Sequence, residues 1–430
     1  MTNNTDQQSP TTRSKTLPAL TMSDISFTCQ PNEKLLIILN KNSGLSLYSH
    51  EFCRSGIDSQ VISGFISAMT SFMGFVMGKQ QPSWKTVYGT DSVILVEAGE
   101  WTFGVLAVSR ETYEARSMLS RVATEFEECF KVLKNSDGIE GSAFRDFDQL
   151  VRMTFVDNRI TGRTLVLKRQ EWRTLVSTFD LPSTSFIVSK ILSDYDGVHS
   201  VQEIAELHSF KIDDVIRNVS IAFWNSAVDL KFVPSDDDIL VLSEGASSVL
   251  FQKANPLQLA TESLKVLALF DGRTKLSHLM KGTNHTEIRR LLEDLGILVN
   301  RGYIQRIPEE GLYALLNECI LSFLMSKGAL LVGRKRMGLL YDRICEEGSK
   351  FYPWINRIML TDTMQVYCVF EYGSSFDILE DIIDTLDFFI RELRQLLSKI
   401  IGGELVDRLL CSIRASCTET WFPKIREREG

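Results

Sequence analysis

Short apolar runs separated by turn residues predict a sheet near the N-terminus of the chain. Residues 35–39 and 45–52 alternate like two strands, and Ser43-Gly44 between them suits a tight turn. Three further strand-like runs follow, KTVYGT, SVILVEAG and TFGVLAVS, with turns at Gly89 and Gly99. Because short turns join the first two runs and the last three, the pattern predicts an antiparallel sheet.

Residues 59–78, between the second and third predicted strands, carry no formal charge. Twenty uncharged residues are enough for a membrane-spanning helix. The large apolar residues recur at helical spacing on one side, however, which predicts a helix packed in a soluble domain. Its other side is small and neutral, and we expect that side to bind a second subunit. The candidate partner-binding residues are Ser63, Ser67, Thr70, Ser71 and Gly74.

Residues 33–134 resemble a longin domain, a profilin-like module. The resemblance is carried by the LLIILNKNSGLSLYSHEF hairpin, the ISGFISAMTSFMGF helix, the VILVEAGEWTFGVLAV hairpin and the LSRVATEFEECF helix, in the order β-β-α-β-β-β-α. Longin and the related roadblock modules occur in regulators and partners of small GTPases and in trafficking proteins. The resemblance therefore implies a surface for a small GTPase or for a second longin or roadblock module.

The middle of the chain contains two similar segments at an offset of 75 residues. Each predicts a helix, an Asp-Gly turn, a short helix, a longer helix and a strand-like end, and the turns are Asp196-Gly197 and Asp271-Gly272. This order resembles a winged helix. Such a repeat binds DNA or another protein. Acidic residues balance the Lys and Arg of both longer helices, which favours protein interaction.

The last part of the chain predicts a helical domain. Residues 312–331 are its most hydrophobic window, but Glu318 and Lys327 within them make a membrane-spanning helix unfavourable. A long amphipathic helix should follow residue 376 and break at Gly402-Gly403. One basic cluster is a candidate for contact with an anionic membrane surface or phosphate: Arg334, Lys335 and Arg336.

These patterns predict a multidomain α+β protein. It should consist of an N-terminal longin-like antiparallel sheet with flanking helices, two winged-helix repeats and a C-terminal helical α+β domain. The predicted boundaries are a disordered tail at 1–32, the longin-like domain at 33–134, a connecting helix or linker at 135–158, repeat 1 at 159–234, a hairpin or linker at 235–257, repeat 2 at 258–307, and the C-terminal domain at 308–430.

Neither the composition nor the motifs of the chain indicate a catalytic or metal-binding site. The net charge of −8 gives no basic footprint for nucleic acid. The eight cysteines form no CxxC pair, which predicts a reducing, cytoplasmic location. Phosphate-binding glycine loops and the GxSxG motif are absent from the sequence, and the five histidines are isolated. We therefore predict no catalytic residues, no metal site and no cofactor.

The predicted function is a non-catalytic, cytoplasmic protein-interaction scaffold. Through its longin-like domain it would regulate or bind small GTPases or trafficking complexes. The prediction allows a homo- or hetero-oligomer and peripheral contact with a membrane. The alternative is a winged-helix transcription regulator with an N-terminal sensor domain. The two differ in their partners, because the alternative requires salt-sensitive binding to duplex DNA.

Overall fold

A computed structural model of the chain confirms the α+β class, with an N-terminal antiparallel sheet and a helical C-terminal part. The structure describes residues 31–53, 60–66, 68, 83–89, 92–134, 144–169, 194–369 and 377–422. Of the predicted tail, only residues 31 and 32 fall in these ranges, and both are buried. Asn32 holds the sheet end, since its side chain both donates to and accepts from the backbone of Arg110 at 2.9 Å.

The N-terminal sheet has five antiparallel strands in the order β2-β1-β5-β4-β3. The strands are β1 (Glu33–Asn40), β2 (Ser46–Glu51), β3 (Ser83–Tyr88), β4 (Ser92–Ala98) and β5 (Thr102–Val108). Along β1, Leu36 and Ile38 point to one face, whereas Leu35, Ile37 and Leu39 point to the other. All five side chains are buried, so the sheet is covered on both faces.

Different helices cover the two faces. On one face lies α1 (Tyr113–Cys129), which begins where the Thr112 hydroxyl accepts the backbone N–H of Ala115. Beside it packs α2 (Phe147–Phe155), whose apolar side chains join the core of α1, so the predicted linker contributes to the first domain. On the other face, helical residues 60–66 place Ile62 and Ile66 against the sheet.

Repeat 1 is a helix–turn–helix with a three-stranded sheet in the order β7-β6-β8. Its described elements are β6 (Leu165–Lys168), β7 (Asp196–Ser200), α3 (Val201–His208), α4 (Ile212–Trp224) and β8 (Val228–Lys231). The predicted first helix of this repeat lies outside the described residues. The strand that ends the repeat pairs with the strand that begins it, so β6 is central.

In repeat 2 the described elements of repeat 1 recur in order: an opening strand, two helices after the Asp-Gly turn and a closing strand. The elements of repeat 2 are β9 (Leu240–Leu242), α5 (Ala246–Leu250), α6 (Thr261–Leu267), α7 (Leu276–Leu279), α8 (His285–Asn300) and β10 (Ile304–Arg306). Strand β9 comes from the predicted linker 235–257 but pairs with β10. A single bridge, Ile239 to Lys275, stands where β7 pairs with β6 in repeat 1. The second sheet is therefore a reduced form of the first.

The C-terminal domain is a helical bundle with one short hairpin. It comprises α9 (Glu309–Val332), α10 (Arg334–Gly348), β11 (Ile358–Leu360), β12 (Val366–Cys368), α11 (Asp377–Ile401) and α12 (Gly403–Trp421). The predicted break is confirmed, because Gly402 has φ 92° between the two long helices. A side chain would be strained in this left-handed conformation, which explains glycine there.

Within the described residues, one helix, α9, is long and apolar enough to cross a membrane by length and composition. A core helix of a soluble protein passes the same test. In this fold α9 packs against the other three bundle helices and carries the buried carboxylate of Glu318.

Candidate interaction surfaces

The helix at residues 60–66 presents an apolar outward face. Ile62 packs against the sheet and Ser63 is also buried, whereas Val61 and Phe65 are 56% and 38% exposed. Gly64 between them is also exposed, and a Cβ there would meet open space. The structure therefore places Ser63 on the buried side. The other four candidate residues lie outside the described part of the chain: Ser67, Thr70, Ser71 and Gly74.

The two edges of the N-terminal sheet differ. Strand β2 contacts α2 and repeat 1. The Tyr48 hydroxyl donates to Asp148 of α2 at 2.7 Å, and the His50 ring stacks on Trp224 of repeat 1 with 3.5 Å between ring centroids. Strand β3 is the other edge, and no described strand pairs with its outer side. Val87 on β3 is 73% exposed. Among the described residues, the β3 edge is thus the one left without a strand on its outer side.

His50 belongs to the contact between the sheet and repeat 1. Burial beneath the Trp224 ring lowers the pKa of His50 to about 4. A buried neutral imidazole has no charge to pair, and the flat stack with an interplanar angle of 4° suits it. His50 is therefore a structural residue of the domain contact.

The longer helix of repeat 2 faces repeat 1. A Cβ on Gly296 would lie 2.7 Å from Cγ of Lys231, so α8 approaches the end of β8 closely. The buried Asn300 side chain donates to the carbonyl of Leu230 at 2.7 Å and accepts the N–H of Phe232 at 2.9 Å. One side of α8 is therefore used for the contact between repeats.

A cavity of about 240 Å³ remains between the repeats along α8. Leu292 and Ile288 line it from α8, and Leu165 and Val198 line it from repeat 1. Arg289 at its rim is paired with Glu293 at 3.5 Å. The surface of α8 thus combines apolar contacts with balanced charges, which is unfavourable for reading DNA.

An ion pair joins repeat 2 to the C-terminal domain. Arg273, which follows the Asp271-Gly272 turn, pairs through both terminal nitrogens with the carboxylate of Glu318 on α9. The same carboxylate accepts the N–H of Cys368 at 2.7 Å, and Arg273 donates to the Cys368 carbonyl at 2.6 Å. The guanidinium also lies over the Tyr367 ring at 4.0 Å. These contacts satisfy the charge that interrupts the apolar sequence of α9.

The basic cluster predicted from the sequence is brought together and exposed. Arg334, Lys335 and Arg336 form the first turn of α10, and no carboxylate of the described residues pairs with them. Directly before them, Leu330 and Leu331 are 86% and 52% exposed. The hydrophobicity of residues 312–331 did not reveal that these two leucines are exposed.

The described residues contain few candidates for a catalytic or metal-binding site. Among them, no group of three or more His, Cys, Asp or Glu side chains could hold a metal ion. Two thiols do meet, because Sγ of Cys319 lies 2.9 Å from Sγ of Cys417. The hydrogen bond with Cys417 lowers the pKa of Cys319 to about 7, and the pKa of Cys417 is raised by the same contact and by burial. Both side chains pack between α9 and α12 in the bundle core.

Comparisons with known proteins assign no function to these surfaces. No protein-family model matches the chain, and no curated protein matches its sequence. The longin resemblance of residues 33–134 accordingly rests on the order of strands and helices.

Proposed function

We propose that the protein is a non-catalytic protein-interaction scaffold that regulates or binds small GTPases or trafficking complexes through residues 33–134. The observation that supports this best is the outward face of helical residues 60–66. Val61, Gly64 and Phe65 are exposed there and carry no charge. An exposed aromatic and β-branched pair on an uncharged face is suited to burial against another protein.

The open β3 edge supports the same proposal. A partner's strand can add to an unpaired edge through main-chain hydrogen bonds, and side chains on alternate positions then give specificity. Val87 and Tyr88 at the end of β3 are 73% and 37% exposed and are available for such contacts. The opposite edge is occupied by repeat 1, so a second longin or roadblock module or a GTPase would approach from the β3 side.

Binding of purified small GTPases to the immobilised full chain tests the proposal. Each GTPase is presented in its GDP form and with a non-hydrolysable GTP analogue. The double substitution Val61→Glu/Phe65→Glu places two charges on the exposed face, and we expect it to weaken binding at least about tenfold. Because both side chains are exposed, the fold should survive, which circular dichroism checks.

Val132→Glu is the matched control, since Val132 is 90% exposed in the turn after α1. Its binding should equal that of the unchanged protein. Purified longin and roadblock modules are presented in the same way, and the proposal is wrong if neither a GTPase nor such a module is retained. Salt-sensitive retention of duplex DNA in the same assay would instead favour the transcription-regulator alternative.

A further inference from the structure

The C-terminal bundle ends on one side in two turns of the same conformation. Gly333 joins α9 to α10 with φ 92° and ψ 141°, and Gly402 joins α11 to α12 with φ 92° and ψ 139°. A Cβ on Gly328 would lie 3.0 Å from Met337 and 3.6 Å from Leu397. The last turns of α9 and α11 and the first turn of α10 are therefore in contact, so both glycine turns lie at one end.

Leucines protrude from this end. Leu330 is 86% exposed, Leu331 is 52% exposed, and Leu405, just after the second turn, is 49% exposed. Val332 and Ile401, next to the two turns, are partly buried against the bundle core. Three leucines at this end remain in contact with water, although burying them would be favourable.

The same end is positively charged. Arg334, Lys335 and Arg336 are exposed at the first turn, and Lys399 is exposed near the second. Residues 319–341 contain no Asp or Glu. The acidic Glu404 and Asp407 near the second turn are paired with Arg408 and Arg394, so the four cations leave this end net positive, opposite in sign to the chain's net charge of −8. The local excess of positive charge fits an anionic partner.

The position of Arg334, Lys335 and Arg336 is unfavourable for the stability of α10. Three cations in the first turn of α10 face the positive end of the helix dipole, an unfavourable arrangement. The neighbouring helix α12 shows the favourable one, because its first turn contains Glu404, which pairs with Arg408. A local rule that one helix obeys and its neighbour breaks, on exposed residues, is typical of a functional surface.

We propose that this end of the bundle docks onto an anionic lipid bilayer. We call it the bundle tip and define it by Leu330, Leu331, Arg334, Lys335, Arg336, Lys399 and Leu405. The leucines enter the boundary between headgroups and acyl chains, while the basic side chains contact lipid phosphates and keep their stems in the apolar layer.

Other occupants fit the bundle tip less well. A nucleic acid would neutralise the charges but leave the leucines in water. A protein partner would need both an apolar pocket for the three leucines and carboxylates placed to pair with the four basic residues. A bilayer presents a soft apolar layer beneath negative headgroups and matches both features. The contact is peripheral, because Arg273 fixes Glu318 of α9 within the folded protein.

Vesicle co-sedimentation of the full chain tests the proposal. Vesicles of phosphatidylcholine with phosphatidylserine should bind the protein, and vesicles of phosphatidylcholine alone should not. Arg334→Gln/Lys335→Gln/Arg336→Gln should lower the partition coefficient on the order of 100-fold, since each charge near an anionic surface contributes a factor of roughly five. Leu330→Ser/Leu331→Ser should lower it on the order of tenfold.

Matched variants elsewhere on the chain control for charge and hydrophobicity. Lys281→Gln/Arg289→Gln/Arg290→Gln removes three exposed basic residues from repeat 2 and should leave vesicle binding unchanged. Leu207→Ser/Leu269→Ser removes two exposed leucines, at 62% and 57% exposure, and should also leave it unchanged. The charge variant of the bundle tip should not lower the Tm, because it removes cations from a helix N-terminus.

Three results would overturn the proposal. The first is equal binding to neutral and anionic vesicles, and the second is unchanged binding by both bundle-tip variants. The third is full displacement of the protein by inorganic phosphate, which would indicate a site for an isolated phosphate. The Val61→Glu/Phe65→Glu variant should still bind vesicles, so failure of this proposal and failure of the proposed function are separable.

Discussion

The two repeats use the same local turn for different purposes. Asp196 and Asp271 each accept two backbone N–H groups through one carboxylate oxygen, at 2.8–3.0 Å, and each is followed by a glycine with positive φ. The next position is Val198 in repeat 1, which is 53% exposed, and Arg273 in repeat 2, which is paired with Glu318. The two turns therefore share a backbone arrangement, but the residue after the glycine lies on the surface in repeat 1 and joins two domains in repeat 2.

A second pair of equivalent positions shows the same contrast. Asn225 ends α4 and its amide donates only to Ile221 of its own helix at 2.9 Å. Asn300 ends α8 in the equivalent place, but it is fully buried and bonds both sides of the Leu230 to Phe232 backbone in repeat 1. Repeat 2 therefore lies between two neighbours and holds both through polar contacts, which identifies it as the connecting element of the molecule.

The largest effect should come from breaking the ion pair of repeat 2. Arg273→Ala leaves the buried Glu318 carboxylate without its cation, and we expect a loss of about 4 kcal/mol in the free energy of unfolding. Val198→Ala at the equivalent place in repeat 1 should cost less than about 0.5 kcal/mol. Urea denaturation of both variants measures the difference. Equal losses would show that the two positions do not differ as described.

Next in size is the pH dependence of the contact that repeat 1 makes with the sheet. The pKa of His50 is about 4 in the folded protein because of burial, against an ordinary value of 6.5. The unfolded chain takes up a proton between pH 6.5 and 4 while the folded protein does not, so stability falls as the pH is lowered through that window. The loss should reach about 3 kcal/mol.

His50→Phe keeps an aromatic ring on Trp224 but cannot be protonated. Urea denaturation at several pH values gives the free energy of unfolding of this variant and of the unchanged protein. As the pH falls below 6.5, this free energy should decrease further in the unchanged protein than in the variant. A constant gap would mean that His50 is accessible to protons in the folded protein.

A smaller effect should follow at the asparagine positions. Asn300→Ala removes two hydrogen bonds to the buried backbone of repeat 1 and should cost about 2 kcal/mol, since the backbone groups are left unsatisfied. Asn225→Ala should cost about 0.5 kcal/mol, because only a partly buried bond within its own helix is lost. Hydrogen exchange at Phe232 provides a local readout and should rise only in the first variant.

The smallest effect should be equal in both repeats. Asp196→Ala and Asp271→Ala each remove an acceptor for two exposed backbone N–H groups, and about 1 kcal/mol is expected from either. Burial raises the pKa of both carboxyl groups, but the hydrogen bonds from the backbone outweigh it and hold the pKa below the ordinary value. Thermal denaturation of the two variants should give similar shifts, and markedly unequal shifts would show that the turns are not equivalent.

Local features of the fold were predictable. The hairpins β1–β2 and β4–β5, the helix α1 and the break at Gly402 all follow from periodicity and turn residues that lie next to each other in the sequence. The Asp-Gly turns were likewise visible as a repeat. The candidate surfaces were harder, because Val61 and Phe65 share the helical stripe of the buried Ile62 and Ile66. A periodic stripe does not reveal how much of its width the sheet covers.

The sequence by itself determined the order of strands and helices, the duplication of the middle segment and the basic cluster at Arg334–Arg336. These depend on nearest neighbours, on helical spacing and on charge. Only the tertiary structure decided that Arg273 meets Glu318, which is 45 residues away, and that Leu330 is left exposed beside the cluster. The reason is physical: burial and charge pairing depend on which distant surfaces come together. The residues around one position in the sequence do not specify which distant residue it will contact.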